Sequence, residues 1–460
     1  MRSIEAAALG LALAFASSQA CAQADPATAR EILRELVSIR TVHPDGDNTA
    51  AAHAAARRLL EAGFDPADVQ VLEPAPRKGN LVARLRGTGE AKPMLLLAHI
   101  DVVDALREGW SEGLDPWTLT ERDGYLYGRG VLDDKASAAM FVAILASLKR
   151  QGFRPRRDII LALTADEEGG THNGLAWLLK EHRALIDAEF AINEGGTATL
   201  RDGRPGTLGV QVSEKMYLSF ELEATNAGGH SSLPVPDNAI YDIAGALERI
   251  ARLELPARLG PVVRALAARA AQQNSGALAE ALGAVAAGNP TAEQLRLVSA
   301  NPGRNAQLRT TCVATRVEGG HADNALPHRA RATVNCRLLP GEDDAFVRAE
   351  VQRAAGSRVK VTPKNVLSAS PETDPGSAVM GVIRREAQAA WAGVDVVPVM
   401  SAGATDGSRL RNAGIPVYGV LPIFMEQADW ARMHGRDERI PARAFAEALE
   451  YFHKLLRALG

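Results

Sequence analysis

The segment Leu95-Leu96-Leu97-Ala98-His99-Ile100-Asp101 joins a buried strand to two side chains that can bind and orient a metal ion. Four apolar residues in a row read as a strand covered on both faces, and the run stops at a histidine and an aspartate two apart. Side chains at i and i+2 of an extended end point the same way. Asp101 can therefore hold the His99 ring by one nitrogen while the other meets a metal.

Later segments end in related chemistry. The run Gly128-Arg129-Gly130-Val131-Leu132-Asp133-Asp134-Lys135 leads into an apolar helix at 136–149, leaving an acidic pair at a helix start. The positive end of the helix dipole stabilises charge there, and helix capping is the plainer local reading of Asp133 and Asp134. A buried strand at 158–165 runs into Asp166-Glu167-Glu168-Gly169-Gly170, and another at 188–193 closes with Glu194-Gly195-Gly196. Adjacent glutamates are ordinarily a solvated turn. In an open α/β sheet, however, chemistry gathers at the carboxyl ends of the strands. Three strand ends and one helix start thus present His99, Asp133, Glu167, Glu168 and Glu194 together.

This ordered set of motifs resembles metallopeptidase family 20, the group containing aminoacylase, carnosinase, carboxypeptidase G and succinyl-diaminopimelate desuccinylase, over nearly all of the chain. The resemblance implies an α/β, zinc-exopeptidase-like catalytic domain with a mostly parallel central sheet, holding two zinc ions bridged by one carboxylate and one water; cobalt is a possible substitute. It assigns Asp133 to the bridge, His99 and Glu194 to one zinc and Glu168 to the other. Glu167 becomes the general base, and Asp101 the carboxylate that orients His99. The Asp133-Asp134 peptide is implied to be cis. Met433-His434-Gly435-Arg436-Asp437-Glu438-Arg439-Ile440-Pro441 resembles the segment that supplies the last ligand, His434, although relatives often have asparagine where this chain has Asp437. Gly228-Gly229-His230-Ser231-Ser232 resembles the segment whose histidine supports the oxyanion, often in a partner subunit. Asn324 and Arg337 resemble substrate-binding positions, an amide and a guanidinium suited to a carboxylate and its neighbouring carbonyl. Gly403 begins a segment, through Gly407, that resembles a glycine-rich substrate loop, where Asp406 is equally suited to cap a helix.

The implied reaction is amide hydrolysis. Paired zinc ions bring the pKa of a bridging water toward about 7, Glu167 takes its proton and passes it to the leaving amine, and His230 supports the oxyanion. Glutamate at 194 resembles the carboxypeptidases and N-acyl amino acid hydrolases, whereas dipeptidases and aminopeptidases tend to carry aspartate. The favoured substrate is thus a small peptide or N-acyl amino acid that yields its C-terminal amino acid. An aminoacylase or dipeptidase is the nearest alternative, and a non-catalytic zinc-binding module the remote one.

The surrounding elements must hold these groups in place. Helical spacing of apolar residues marks 27–37 and 49–61, and short strands fall at 69–72 and 80–86. A strand at 215–224, a helix at 238–253, strands at 308–317 and 329–338, a helix at 344–354 and a strand at 359–362 give the order βαββαβ of a ferredoxin-like unit. The expected organisation is a catalytic domain in two parts, 23–213 and 365–460, interrupted by a lid and dimerisation domain at 214–364. An alanine-rich stretch at 258–301 interrupts the lid with extra helices, for which surface packing or a dimer contact is the plain expectation. A homodimer through the lid is expected.

With 460 residues the chain is long enough for about two or three domains. Its net charge of −3 offers no attraction to nucleic acid or anionic membranes, so neither partner is expected. Arg2, the apolar stretch 6–16 and Ala20-Cys21-Ala22 read as a signal peptide at 1–22 cut after Ala22, giving an exported periplasmic or secreted protein without a membrane span. A lipidated Cys21 ranks second. Cys312 and Cys336 fall on strands expected to form a hairpin. They can bridge in an oxidising compartment or persist as two buried thiols.

Overall fold

The computed structural model describes residues 24–460, so the signal-peptide reading and Cys21 lie outside the described residues. The central sheet has nine strands. In spatial order Ile159–Thr164, Met94–His99, Phe190–Asn193 and Val417–Gly419 form its middle, and each pairs in parallel with the next. Asn80–Leu85 and Val69–Leu72 extend it antiparallel at one side, while Arg204–Glu214 and Asp395–Ser401 lie at the other, with Ala198–Arg201 pairing antiparallel to Arg204–Glu214 as the ninth strand.

Period-2 alternation explains why Met94–His99 carries no polar residue before its end. Leu96 and Ala98 enter the large core beneath the sheet, and Leu95 and Leu97 enter the smaller core above it. The helix Lys135–Arg150 is buried from Lys135 to Leu148. It packs under the sheet with Pro26–Ser38, Asn48–Glu61 and the C-terminal helix Ala442–Leu459, whose apolar stripe includes Phe445, Leu449, Phe452 and Leu456. His99 and Thr164 are register partners on adjacent parallel strands. The residues following both strands therefore emerge side by side.

A second, antiparallel sheet orders Thr311–Gly319, Arg329–Leu338, Met216–Thr225 and Lys360–Pro363. The helices Ala239–Ala251 and Asp344–Ala355 cover it and close a separate core around Phe220, Leu222, Val334, Ile243 and Val347. Cys312 and Cys336 are register partners there and form a disulfide, which decides between the bridge and the free thiols.

The alanine-rich stretch folds as four helices, Pro261–Gln273, Gly276–Ala287, Ala292–Ser299 and Pro302–Leu308. They run past the expected limit at residue 301 and pack within the chain, against the strand Asp395–Ser401 of the central sheet. Arg269 pairs with Asp395, and Gln307 Nε2 donates to the Met400 carbonyl at 2.9 Å. Among the described residues no helix is long and apolar enough to cross a membrane.

Candidate metal centre

His99 ends its strand buried, with Nε2 2.8 Å from Asp133 Oδ1 and 3.8 Å from Glu194 Oε1. The other oxygen of Asp133 lies 3.0 Å from His434 Nε2, which in turn is 2.8 Å from Glu168 Oε1. Two three-residue donor sets result, His99–Asp133–Glu194 and Asp133–Glu168–His434, each with its ligand atoms within 4.8 Å of one another. Asp133 belongs to both sets, and Glu167 to neither.

Asp101 holds His99 differently from the sequence expectation. The His99 Nδ1 atom lies 3.0 Å from the Asp101 carbonyl oxygen, while the carboxylate is 3.6 Å away. Both carboxylate oxygens instead accept backbone N–H groups, from Glu167 at 3.1 Å and Glu168 at 3.0 Å. The turn bearing both glutamates supplies two converging donors, and these satisfy the buried carboxylate better than one ring nitrogen would. One residue thereby aims His99 through its backbone and fixes Glu167 and Glu168 through its side chain.

The donor chemistry fits a pair of divalent cations. Glu168 Oε1 is buried without a well-formed hydrogen bond, although a His434 nitrogen lies beside it. Burial raises Glu167 to about 8, helped by Asp406, Asp133 and Glu168, and pushes Glu194 well above the usual carboxylate range. The hydrogen bonds from His434 and His99 overcome burial at Asp133 and hold it below that range. His434, bonded to Asp133 and Glu168, is raised to about 10. Acids crowded until they resist ionisation are what a site built for positive charge presents when only imidazoles balance it.

The support around these donors is dense. Glu438 Oε1 accepts the N–H groups of Gly130 at 3.1 Å and Leu132 at 2.8 Å, while its other oxygen pairs with Arg129. The same guanidinium donates to the carbonyls of His434 at 3.1 Å and Gly435 at 3.0 Å. Arg129 and Glu438, both buried, thus tie the turn before Asp133 to the segment carrying His434. The Asp133-Asp134 peptide is cis. Lys135 follows it, fully buried, with Nζ donating to the carbonyls of Leu36 and Ile39.

Asp166 adopts φ +56°, a left-handed conformation that Asp tolerates better than most residues, and its carboxylate takes Lys78 Nζ at 2.7 Å. Asp437 also has a left-handed φ, +52°, and accepts Ser111 N–H at 2.9 Å and Ser111 Oγ at 2.7 Å. Asparagine and aspartate share that backbone tolerance, which accounts physically for the departure at this position. Arg129, Glu438 and the Lys78–Asp166 pair were not singled out from the sequence. Arg129 and Glu438 do stand inside the two segments that carry Asp133 and His434.

Asp133, Glu167, Glu168, Glu194 and His434 line one cavity of about 860 Å³, and Gly403 lines it too. His230, Asn324 and Arg337 do not. His230 is exposed, with Nδ1 2.8 Å from Ser232 Oγ, and pairs with Ala325 in a two-residue ladder next to Asn324. Arg337 lies over the Tyr217 ring at 4.8 Å. Asp406, fully buried, accepts from Asn173 Nδ2 at 2.8 Å and makes no side-chain cap to the helix Gly407–Asn412, so the capping alternative does not hold.

The sequence profile of peptidase family M20/M25/M40 matches residues 95–458. A human relative, N-fatty-acyl-amino acid synthase/hydrolase PM20D1, is 31% identical over 380 residues, covering 80% of this chain and 74% of its own length. Among solved structures, the M20 family metallo-carboxypeptidase Sso-CP2 from Sulfolobus solfataricus superposes with a TM-score of 0.66 at 17% identity, covering 93% of this chain and 98% of that one. The YXEP protein of Bacillus subtilis, described as a dinuclear metal binding peptidase from the M20 family, gives 0.61 at 14% identity, covering 95% and 99%.

Proposed function

This chain belongs to peptidase family M20/M25/M40 and is a hydrolase, and we propose that its reaction is hydrolysis of an amide that frees an amino acid with its carboxylate intact. The substrate is an N-acyl amino acid or the C-terminal end of a small peptide. The observation that carries this reading is the shared Asp133 between two ligand sets, with Glu167 beside them in the same cavity but in neither set.

His99, Asp133 and Glu194 would hold one zinc ion, and Asp133, Glu168 and His434 the other; when bound, the pair supplies an acidified water and polarises the amide carbonyl. Glu167 accepts the water proton on a carboxylate oxygen and delivers it to the departing nitrogen. Its reach is fixed by the Asp101 carboxylate, which clamps the backbone of the Glu167–Glu168 turn. Gly403 gives the substrate a side-chain-free surface.

Residues 23–213 and 365–460 form the catalytic unit in this proposal, and 214–364 the lid. His230, Asn324 and Arg337 lie on that lid outside the cavity, which suits service to a second copy in a homodimer formed through it. The proposal includes export, with removal of residues 1–22.

The test is a panel of acylated amino acids, dipeptides and longer peptides, each with a free or an amidated C-terminus. N-acyl amino acids with a free carboxylate should turn over, and amidation should cost at least about a hundredfold in kcat/KM, the loss of a charge-assisted carboxylate contact. A requirement for a free N-terminal amine, with indifference to the C-terminus, would overturn the reading.

A further inference from the structure

We infer that Glu214, which does not itself line the cavity, is the positioning residue that holds the loop 401–405 in place as one of its walls. The inference rests on the reading of that cavity as the substrate site and adds the residue that fixes its glycine-bearing side. Glu214 ends the strand Arg204–Glu214, just before the chain enters the second sheet at Met216.

Two consecutive residues grip the loop at both ends. The Lys215 N–H donates to the Ser401 carbonyl at 2.9 Å. Glu214 Oε2 accepts the Thr405 N–H at 3.0 Å and the Thr405 hydroxyl at 2.9 Å. Between these ends Ala402, Gly403 and Ala404 are exposed, and their side chains bury too little surface to fix a backbone. The Gly403 N–H bonds within the loop, to Ser401 Oγ at 3.0 Å. The position of this wall therefore depends on its two ends.

The same carboxylate oxygen also accepts Gln211 Nε2 at 2.9 Å. Gln211 lines the cavity, and its Oε1 accepts the Gly196 N–H at 3.4 Å, two residues past the metal-site residue Glu194. A Cβ on Gly195 would fall 2.6 Å from that oxygen, so the turn closes directly on the Gln211 amide. With an acceptor at Glu214 and a donor at Gly196, only one orientation of the amide satisfies both. Glu214 thereby sets the loop and the Glu194 turn relative to each other.

Packing alone does not require a carboxylate here. Glu214 is fully buried, and its Oε1 lies 3.1 Å from a nitrogen of Arg411, itself buried. A buried ion pair is costly to desolvate and gains little over apolar residues of the same volume. What it supplies is direction, because donors converging on a charged oxygen form stronger bonds than donors to a neutral one.

The test begins with Glu214→Gln, which keeps the volume and removes the charge. Whichever way the new amide turns, its N–H groups face either Arg411 or the three donors. KM for an N-acetyl amino acid should rise at least about tenfold, the loss of a charge-assisted hydrogen bond. With the metal donors untouched, kcat should stay within about threefold of the parent, and bound metal should be unchanged. Thr405→Val removes a hydroxyl that also accepts the Gly407 N–H at 3.1 Å, and KM should rise similarly. Thr405→Ser restores that hydroxyl and should return KM to within about threefold of the parent. In the double variant Glu214→Gln with Thr405→Val the two KM effects should not multiply, because both break one contact.

Hydrogen exchange reads that contact without turnover. The Thr405 N–H should exchange at least about tenfold faster in Glu214→Gln than in the parent. Unchanged exchange, KM effects that multiply, or a fall in stability with KM unmoved overturns the positioning role and leaves the hydrolytic reading standing. If no acyl amino acid or peptide is hydrolysed, the hydrolytic reading falls, and exchange at Thr405 decides the role of Glu214 separately. Should Glu214→Gln not fold, the Thr405 pair decides, and a KM rise that serine does not rescue overturns the role.

Discussion

At the floor of the cavity His99, Asp133, Glu168 and His434 stand within 3.0 Å of a neighbouring ligand atom, and Arg129, Glu438, Asp101 and Lys78 lock the backbone behind them. At the roof, the helices of the insert present alanine, valine and leucine side chains held by their own packing, the Arg269–Asp395 pair and the Gln307 hydrogen bond to the Met400 carbonyl. The floor is over-determined because metal chemistry demands positions held to fractions of an ångström. The roof is held by the packing of small apolar residues, which many combinations can supply. The two parts of the chain are thus held by different means.

That contrast can be broken first at the floor. Glu167→Ala should lower kcat by roughly a thousandfold, within the range expected of a general base, with metal content unchanged because Glu167 belongs to neither ligand set. Metal analysis beside steady-state kinetics checks it, and loss of bound metal would make Glu167 a ligand instead.

Lys78→Ala probes the backing of the floor. Removing the cation leaves the buried Asp166 carboxylate with only the His172 N–H at 3.3 Å and His43 at 3.8 Å, a loss toward the lower end of about 3–5 kcal/mol in stability, readable as a lowered denaturation midpoint. Since Asp166 precedes Glu167, kcat should fall as well. A variant as stable as the parent would show that the pair is not structural.

A smaller effect on turnover is expected at the disulfide, which lies in the second sheet, away from floor and roof. Cys336→Ser should cost about 2–4 kcal/mol of stability by releasing a constraint on the unfolded chain, with kcat on an acetyl substrate changed less than about threefold. A collapse in kcat comparable to that of Glu167→Ala would place the second sheet in the chemistry directly.

The two regions also differed in how far they could be read in advance. His99, Asp133, Glu167, Glu168 and Glu194 were legible because each closes an apolar run or opens a helix, and a strand end fixes direction as well as position. The helices and strands of the second sheet were legible from their periodicity. The Asp101 carboxylate lies beside His99 as expected, 3.6 Å from Nδ1, but its hydrogen bonds go elsewhere. Alternation puts its side chain beside His99, yet it cannot reveal that a turn more than sixty residues later brings two N–H groups to the same carboxylate. The insert was legible only as helices. Alanine-rich helices look alike whether they face solvent, a partner or a cavity, and what they face here is set by the strand Asp395–Ser401, far along the chain.

The central claim is that Asp133 joins two cation sites built from His99 and Glu194 on one side and Glu168 and His434 on the other. Elemental analysis of zinc-saturated, dialysed protein tests it most directly. The account predicts two ions per chain in the parent and about one in His434→Ala, with Asp133→Ala losing both. Full occupancy in both variants, or a single ion in the parent, would contradict it.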